Sequence, residues 1–511
     1  MKRLSRRQFL KGAAAGTLLA TPVSILIRNQ SDRPRLQADA DHPNIILLTI
    51  DALRADHLSC YGYPKPTSPN IDRLAAEGVQ FKHAVSTAPW TFPAFSAIHT
   101  SMYPSELGVS AFNVPLTQIY RERLDSLRVT LAEALREQGY RTQAVVTNPW
   151  LFPEFGFSQG FDGYTVVDRQ HAHDYDVVLS DTLVGQLTGH AEPADAALRG
   201  LYEALMGPTG QPVWDVRADR VTAEVLNWLD ANHQDRFFLW VHYIDPHYPF
   251  SPPAAYRPSI PGVSDERLDY LGSYNEDDIY TGRARLRPAD REAIVALYDG
   301  EIRYVDHYIG QVLNRLDALG LRDNTLLTLS ADHGEEFWEH GGYQHGHSLY
   351  NELLHVPLII RGPRGFESPR QVDTVVRHVD IAPTLIEIAG GTFHAEARGA
   401  NLLPLLSAGS QTPHIAFSEG LFLTAEKKTI RDGDRKLIYD PFSGASELYD
   451  LRADPRELNN LAARDLATTH SLKQQLQAWQ LANEAKFAAL PRSVQAASDQ
   501  SLINALRSGG Y

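Results

Sequence analysis

The sequence predicts an α/β fold with a central, mostly parallel sheet between helices, plus a small C-terminal antiparallel sheet with a helix. Three observations carry this expectation. Apolar runs such as NIILLTI (44–50) lack the alternation of a half-exposed strand and read as strands covered on both faces. Helical stretches separate such runs, the arrangement that builds a parallel sheet. After about residue 406 the strands shorten and are joined by Asp-Gly and Ser-Gly turns, which suit antiparallel hairpins.

The elements follow in order. The first strand is 44–50. Ser68-Pro69-Asn70 opens a helix that runs through Asp72 to Glu77 and closes at Gly78. Residues 131–138 are helical and stop at Gly139. Strands are expected at 142–147, 237–243 (FFLWVHY), 325–330 (TLLTLS) and 356–360, with helices over 217–232, 289–318 and 379–390. In the C-terminal part 427–430, 435–439 and 447–451 are short strands, and 468–485 is a helix. Residues 165–215 lack periodicity and read as a long insertion near the site. No internal repeat is present.

Composition bounds the function. The chain has 511 residues, 43% apolar and 22% charged, an ordinary globular balance that excludes a coiled coil, a collagen or a disordered chain. That length implies one large domain with an accessory one. The expected division is 1–40 signal region, 41–405 catalytic domain, 406–490 antiparallel subdomain and 491–511 tail. A net charge of −14 argues against nucleic-acid binding. The single cysteine, Cys60, excludes an intramolecular disulfide and any cysteine-built metal cluster.

At the N-terminus, Ser5-Arg6-Arg7-Gln8-Phe9-Leu10-Lys11 precedes an apolar stretch, 12–27, that contains Pro22. This resembles a twin-arginine export signal, and the stretch is short for a membrane span of about 20 residues. Ala38-Asp39-Ala40 offers a cleavage site. The resemblance implies passage through the twin-arginine export machinery to a periplasmic or extracellular location, with no transmembrane helix beyond the signal. Residues 1–40 carry eight basic and two acidic residues, so their removal brings the charge to −20. Such a field opposes an anionic substrate, and a metal ion with local cations must attract it instead.

In open parallel sheets ligands bind at the carboxyl ends of strands. Asp51 follows NIILLTI, Asp245 and His247 follow FFLWVHY, and Asp332 and His333 follow TLLTLS. One such Asp is commonly a helix cap. Carboxylates and imidazoles at three strand ends of one sheet suit a divalent cation: Zn²⁺, Mn²⁺, Mg²⁺ or Ca²⁺.

PNIILLTIDALRADHLSCYGY, SPNIDRLAAEGVQF, TFPAFSAIHTSMYP, FFLWVHYIDPHYPF, LSADHGEEFWEHGG, LLHVPLIIRG, VDIAPTLIEIAG and RDGDRKLIYDPFSGASELYDLRADPRELNNL together resemble the sulfatase family of the alkaline phosphatase superfamily. They cover roughly 43–465. The resemblance implies an alkaline-phosphatase-like sandwich, a divalent metal and a covalent ester intermediate. Asp51 matches the first metal-binding Asp, and Asp332 with His333 the later metal pair, where many sulfatases have Asp-Asn. Thr91, in Thr91-Phe92-Pro93-Ala94-Phe95, occupies the position of the nucleophile, which also touches the metal.

Three departures stand out. Sulfatases convert Cys or Ser at that position to formylglycine, an aldehyde that Thr cannot give. The family's Gly-Lys-Trp-His stretch is missing, since Gly139-Tyr140-Arg141-Thr142 leads into Val146-Thr147-Asn148-Pro149. The second Asp of the usual Asp-Asp pair is Ala52. A Thr before Phe-Pro is similar to the nucleotide pyrophosphatase/phosphodiesterase branch, and Thr also serves phosphoethanolamine and lipoteichoic acid synthases.

The reading is an exported, metal-dependent hydrolase of phosphate or phosphonate mono- or diesters, with Thr91 as nucleophile. His247 or His345 protonates the leaving group or holds a non-bridging oxygen. Arg54 and His347 are candidate substrate contacts, although an ion-paired role suits Arg54 equally. One metal is expected; alternatively Asp245, His247 and His345 supply a second site. The substrate is a small-molecule or envelope-derived phosphate or sulfate ester. The alternatives are a sulfatase that works without formylglycine, or a transferase passing a phosphoryl substituent to an envelope component.

Overall fold

The computed structural model describes residues 42–109, 123–167, 172–174, 217–273, 286–364, 370–406, 414–421 and 426–491, with 38, 366 and 493 as single positions. The twin-arginine signal, most of the 165–215 stretch and nearly all of the 491–511 tail lie outside the described residues.

β1 (Asn44–Ile50) is buried along its whole length, as its uniform apolarity requires. It sits at the centre of a nine-stranded sheet in the order β11-β2-β10-β7-β1-β6-β3-β4-β5. The other strands are β2 (Val79–Val85), β3 (Arg141–Val146), β4 (Gly163–Val167), β5 (Ala172–Asp174), β6 (Phe237–Tyr243), β7 (Thr325–Ala331), β10 (His355–Arg361) and β11 (Arg370–Arg377). β1 pairs parallel with β6 and β7, and β3 pairs parallel with β6 and β4. β10 runs antiparallel to both β7 and β2, so the sheet is mixed.

Two sets of helices flank the sheet. Pro69–Glu77, Ala218–Asn232 and the long Pro288–Ala318 touch one another on one side. Thr91–Thr100, Leu131–Glu137 and Ile381–Ile388 form the other set. Local chemistry starts them where the sequence suggests: Thr130 Oγ1 accepts the Glu133 N–H at 3.1 Å, and Glu133 returns a bond to the Thr130 N–H at 3.1 Å. The core between the layers is aromatic around Trp240, Phe95 and Phe161.

A second sheet, β12 (Ala416–Ser418), β13 (Lys428–Asp432), β14 (Arg435–Tyr439) and β15 (Ser446–Asp450), is antiparallel throughout. Helix Leu466–Ala489 covers it through Leu472 and Leu476. Val85, Val375, Ile438 and Tyr449 form an apolar seam between the two sheets, and residues 36–511 pack as one compact unit. Lys436 of β14 is buried against Glu457 at 2.8 Å. Among the described residues no helix is long and apolar enough to cross a membrane.

His340 ties the parts together. Its Nδ1 lies 2.5 Å from Glu352 Oε1, its Nε2 lies 3.1 Å from the Glu457 carbonyl, and its ring stacks on Tyr350 at 3.6 Å. Burial lowers its pKa, but the Glu352 carboxylate outweighs burial and brings it up to about 9. The folded value lies above the unfolded one. The contribution is therefore complete below about 6.5 and lost as pH rises through about 9. Thermal melts from pH 6 to 10 should show a downward step near 9 that His340→Gln flattens; parallel curves for the two proteins would refute this.

Candidate active site

The strand register builds the site. β1 and β7 pair from Asn44↔Thr325 to Ile50↔Ala331, so the next residues, Asp51 and Asp332, emerge side by side. Both are fully buried. The Asp51 N–H still bonds to Tyr243 O at 2.9 Å, which holds it to the end of β6. Ala52 then turns with φ 53°, a left-handed conformation that is unfavourable for a residue with a Cβ. The turn is fixed from three sides. The Ala52 N–H donates to Asp332 Oδ1 at 3.2 Å, Tyr298 O–H donates to Ala52 O at 2.7 Å, and Arg54 N–H donates to Tyr298 at 2.9 Å.

His333 completes the centre. Its Nδ1–H donates to Gly334 O at 2.8 Å, which leaves the Nε2 lone pair facing inward. Nε2 lies 3.5 Å from Asp51 Oδ1, 3.4 Å from Asp332 Oδ2 and 3.4 Å from Thr91 Oγ1. Gly334 permits this, because a Cβ there would lie 2.0 Å from the Glu352 carbonyl oxygen. Burial keeps His333 neutral, helped by the neighbouring His345.

Thr91 opens helix Thr91–Thr100 and is 2% exposed. Its hydroxyl therefore sits at the positive end of a helix dipole, which favours an anionic oxygen there. Asn148, at the end of β3, donates from Nδ2 to Asp51 Oδ2 at 2.5 Å and to Thr91 Oγ1 at 3.3 Å. Its amide orientation is set by the backbone, because Oδ1 accepts the Trp150 N–H at 2.9 Å. His242 Nε2 lies 3.2 Å from Asp51 Oδ2, with Nδ1 on Thr49 Oγ1 at 3.1 Å.

Electrostatics divides the two carboxylates. Burial raises Asp51, but His247, His242 and His333 outweigh it and hold it below the usual carboxylate range. Burial and the Asp51 charge push Asp332 well above that range. Asp51 Oδ1 and Asp332 Oδ2 are both buried without a hydrogen-bond partner among the described residues. Asp51, Asp332 and His333 offer ligand atoms within 4.8 Å of one another. Two orphaned carboxylate oxygens and an imidazole lone pair converging on one dry point fit a divalent cation.

The remaining sequence candidates divide. His345 lies at the centre's edge, its ring 4.4 Å from His333 and 4.9 Å from His247, with Nδ1 on Glu335 at 3.1 Å. Burial brings its pKa down to about 3. His247 donates from Nδ1–H to Tyr248 O at 2.5 Å and is partly exposed, with no protein partner for Nε2 among the described residues. Three candidates are engaged elsewhere. Arg54 is held by Asp56 through two bonds of 2.9 and 2.8 Å, by Glu339 at 2.6 Å and by Glu335 O at 2.9 Å, so it ties these segments together. His347 bonds to Glu336 at 2.9 Å and fastens the hairpin of β8 (Glu336–Phe337) and β9 (Tyr343–Gln344). Asp245 shares a hydrogen bond with Glu301 of the long helix, and the cluster of converging ligand atoms among the described residues is that of Asp51, Asp332 and His333.

Sequence reasoning missed Asn148 and His242. Asn148 obeys the strand-end rule, since it follows β3 as Asp51 follows β1. His242 is the imidazole inside the apolar run FFLWVHY, and a buried polar group there needs a partner.

Chelation tests the fit. Because burial next to Asp51 opposes the charge on Asp332, Asp332→Asn should melt at or above the wild type in chelator. The wild type should then gain stability with added Mn²⁺, Zn²⁺, Ca²⁺ or Mg²⁺, about 2.7 kcal/mol at roughly 100 times the ion's Kd, and the variant should gain none. Equal gains in both proteins would exclude this centre as the cation site.

Comparison with known proteins agrees with this geometry. The family model described as Sulfatase matches residues 43–391. The N-sulphoglucosamine sulphohydrolase C-terminal model matches 338–483, and the twin-arginine translocation signal model matches 3–22. An uncharacterized sulfatase, YidJ, of Escherichia coli is 26% identical over 82% of this chain and 83% of its own. Arylsulfatase K of Bos taurus is 26% identical over 87% and 83%. The crystal structure of the phosphonate monoester hydrolase of Agrobacterium radiobacter superposes with a TM-score of 0.62 over 87% of this chain and 96% of that one, at 24% identity. Since the Sulfatase model spans most of the chain, the protein belongs to the sulfatase family, ester hydrolases of the alkaline phosphatase superfamily.

Proposed function

We propose that this chain, once exported to the periplasm or beyond, hydrolyses phosphate or phosphonate mono- or diesters through a covalent Thr91 intermediate. One observation carries the reading: an intact threonine hydroxyl, not a formylglycine precursor, lies 3.4 Å from His333 Nε2, the nitrogen that faces the two orphaned carboxylate oxygens. A cation held by Asp51, Asp332, His333 and Thr91 would lower the cost of the Thr91 alkoxide and screen charge on the transferring group.

The residues supply the rest. Asn148 donates to Thr91 Oγ1, and the helix start stabilises negative charge on it. Thr91 Oγ1 gives its proton to water and bonds to phosphorus as the bond to the leaving oxygen breaks, and His247 gives its Nε2 proton to that oxygen. Water then attacks phosphorus, passing one proton to His247, and the bond to Thr91 Oγ1 breaks, that oxygen regaining a proton from water. A formylglycine hydrate sheds sulfate by eliminating it with its second hydroxyl. A threonine ester has no such hydroxyl and must be cleaved at the central atom. That asymmetry supports phosphorus over sulfur. The sulfatase relatives support the second reading, a sulfuric ester hydrolase working without formylglycine.

The deciding assay compares aryl phosphate mono- and diesters, aryl phosphonates and aryl sulfate after metal stripping and repletion. Phosphorus ester turnover well above sulfate turnover is expected; the reverse ranking would establish the sulfatase reading. Thr91→Ala should lower kcat by about 10³-fold or more, and Asn148→Ala by about 10²-fold. Unchanged turnover in Thr91→Ala would remove the nucleophile assignment. His247→Ala should slow esters with alkoxide leaving groups far more than nitrophenyl esters, which depart without a proton. A uniform loss would assign His247 to positioning instead.

A further inference from the structure

Between the two sheets lies a cavity of about 960 Å³. Four arginines line it: Arg54, which is ion-paired, Arg431 of β13, and Arg452 and Arg456 beyond β15. Arg431 is 4% exposed. Its Nε donates to Gly433 O at 3.1 Å, and among the described residues neither Nη nitrogen meets an acceptor or an ion-pair partner. The carboxylates that act on Arg431, Glu457 and Asp434, do so from beyond ion-pair distance, and burial pushes its pKa down to about 10. Arg452 and Arg456 are exposed and likewise have no ion pair among the described residues.

The acids around the cavity are engaged elsewhere. Asp56 and Glu339 hold Arg54, Glu352 holds His340, and Asp373 lies 3.0 Å from Lys82. Only Asp434, exposed, remains as a lining carboxylate without an ion pair among the described residues. Three unneutralised cations thus face one carboxylate in a chain whose net charge is −14. A buried guanidinium without a counter-ion is costly, and a bound anion removes the cost.

We propose that this cavity is a second anion site, which takes a sulfate or phosphate group through Arg431, Arg452 and Arg456. Guanidinium forks match tetrahedral oxyanions in bidentate fashion. The volume leaves room for a sugar-sized body attached to the anion. The site is distinct from the catalytic centre, because none of Asp51, Thr91, Asp332 and His333 lines the cavity. It does not depend on which ester the centre cleaves.

The test titrates the purified protein with inorganic sulfate and inorganic phosphate by calorimetry, in parallel with Arg431→Gln and the double variant Arg452→Ala/Arg456→Ala. Each variant should bind the anions about tenfold or more weakly, while kcat on a small aryl ester is unchanged. Identical isotherms for all three proteins would overturn the proposal. The double variant alters exposed side chains alone and decides the matter even where Arg431→Gln does not fold. Aryl esters with and without a second anionic group then separate the sources. A KM that rises in the variants only for the doubly anionic ester identifies an anion carried on the substrate. Unchanged KM with weakened inorganic binding identifies a free anion.

Discussion

Everything at this site depends on two carboxylates being held side by side out of water. Asp51 and Asp332 follow the last paired residues of β1 and β7, and the fixed register of those strands leaves them no other place to go. Taking a carboxylate out of water costs several kcal/mol, and placing a second beside it costs more. The chain offsets part of the cost by donation: Asn148 and His242 to Asp51, the Ala52 and His333 amides to Asp332. It leaves the inward oxygens of both residues without donors. A cation is the ligand that such an arrangement favours, and an empty centre is one the fold must strain to keep.

The supporting shell follows from that strain. Ala52 accepts a left-handed backbone so that its amide reaches Asp332, and Tyr298 pins the turn from the long helix. Arg54, buried three residues beyond Asp51, binds Asp56, Glu339 and the Glu335 carbonyl at once. It thereby locks the segment after β1 to the segment after β7. Four of its five N–H donors thereby have acceptors, which keeps the two carboxylate-bearing loops at a fixed spacing.

How much of this was legible follows from what a residue's role depends on. β1, β6 and β7 could be read because a strand covered on both faces must be apolar throughout, and their end residues came with them. β2 and β11 could not: Lys82, His83 and Asp373 interrupt their patterns, since both strands run near an open edge of the sheet. The same limit governs the site. Arg54, His347 and Asp245 looked available in the sequence because their acidic partners, Glu339, Glu336 and Glu301, are fixed by tertiary folding. Asn148 was read for the lysine and histidine missing from its neighbourhood, when its position after a strand was the informative fact. The place of Thr91 at a helix start beside His333 follows a motif, and for that reason it could be read directly.

The direction of substrate approach follows from burial. Displacement at a tetrahedral centre places nucleophile and leaving group on opposite sides. Thr91 comes from a helix start walled by Trp90 and Phe92, which are 3% and 0% exposed and packed among Trp150, Phe155 and Phe157. Trp90, Phe92 and Phe157 are buried, and Trp150 and Phe155 pack partly buried against them. Asp51, Asp332 and His333 are fully buried, so they close the floor. Of the imidazoles and carboxylates around the centre, His247 and His345 keep some exposure, and their rings lie 4.9 Å apart. In the proposed reaction the leaving group departs past these two imidazoles. That is also where a proton is needed when an alkoxide leaves. His345 is driven towards neutrality by burial, whereas His247 is the more open of the two and keeps Nε2 without a protein partner among the described residues. In the proposed reaction the donor role falls to His247, and His345 holds the wall against which the departing group moves.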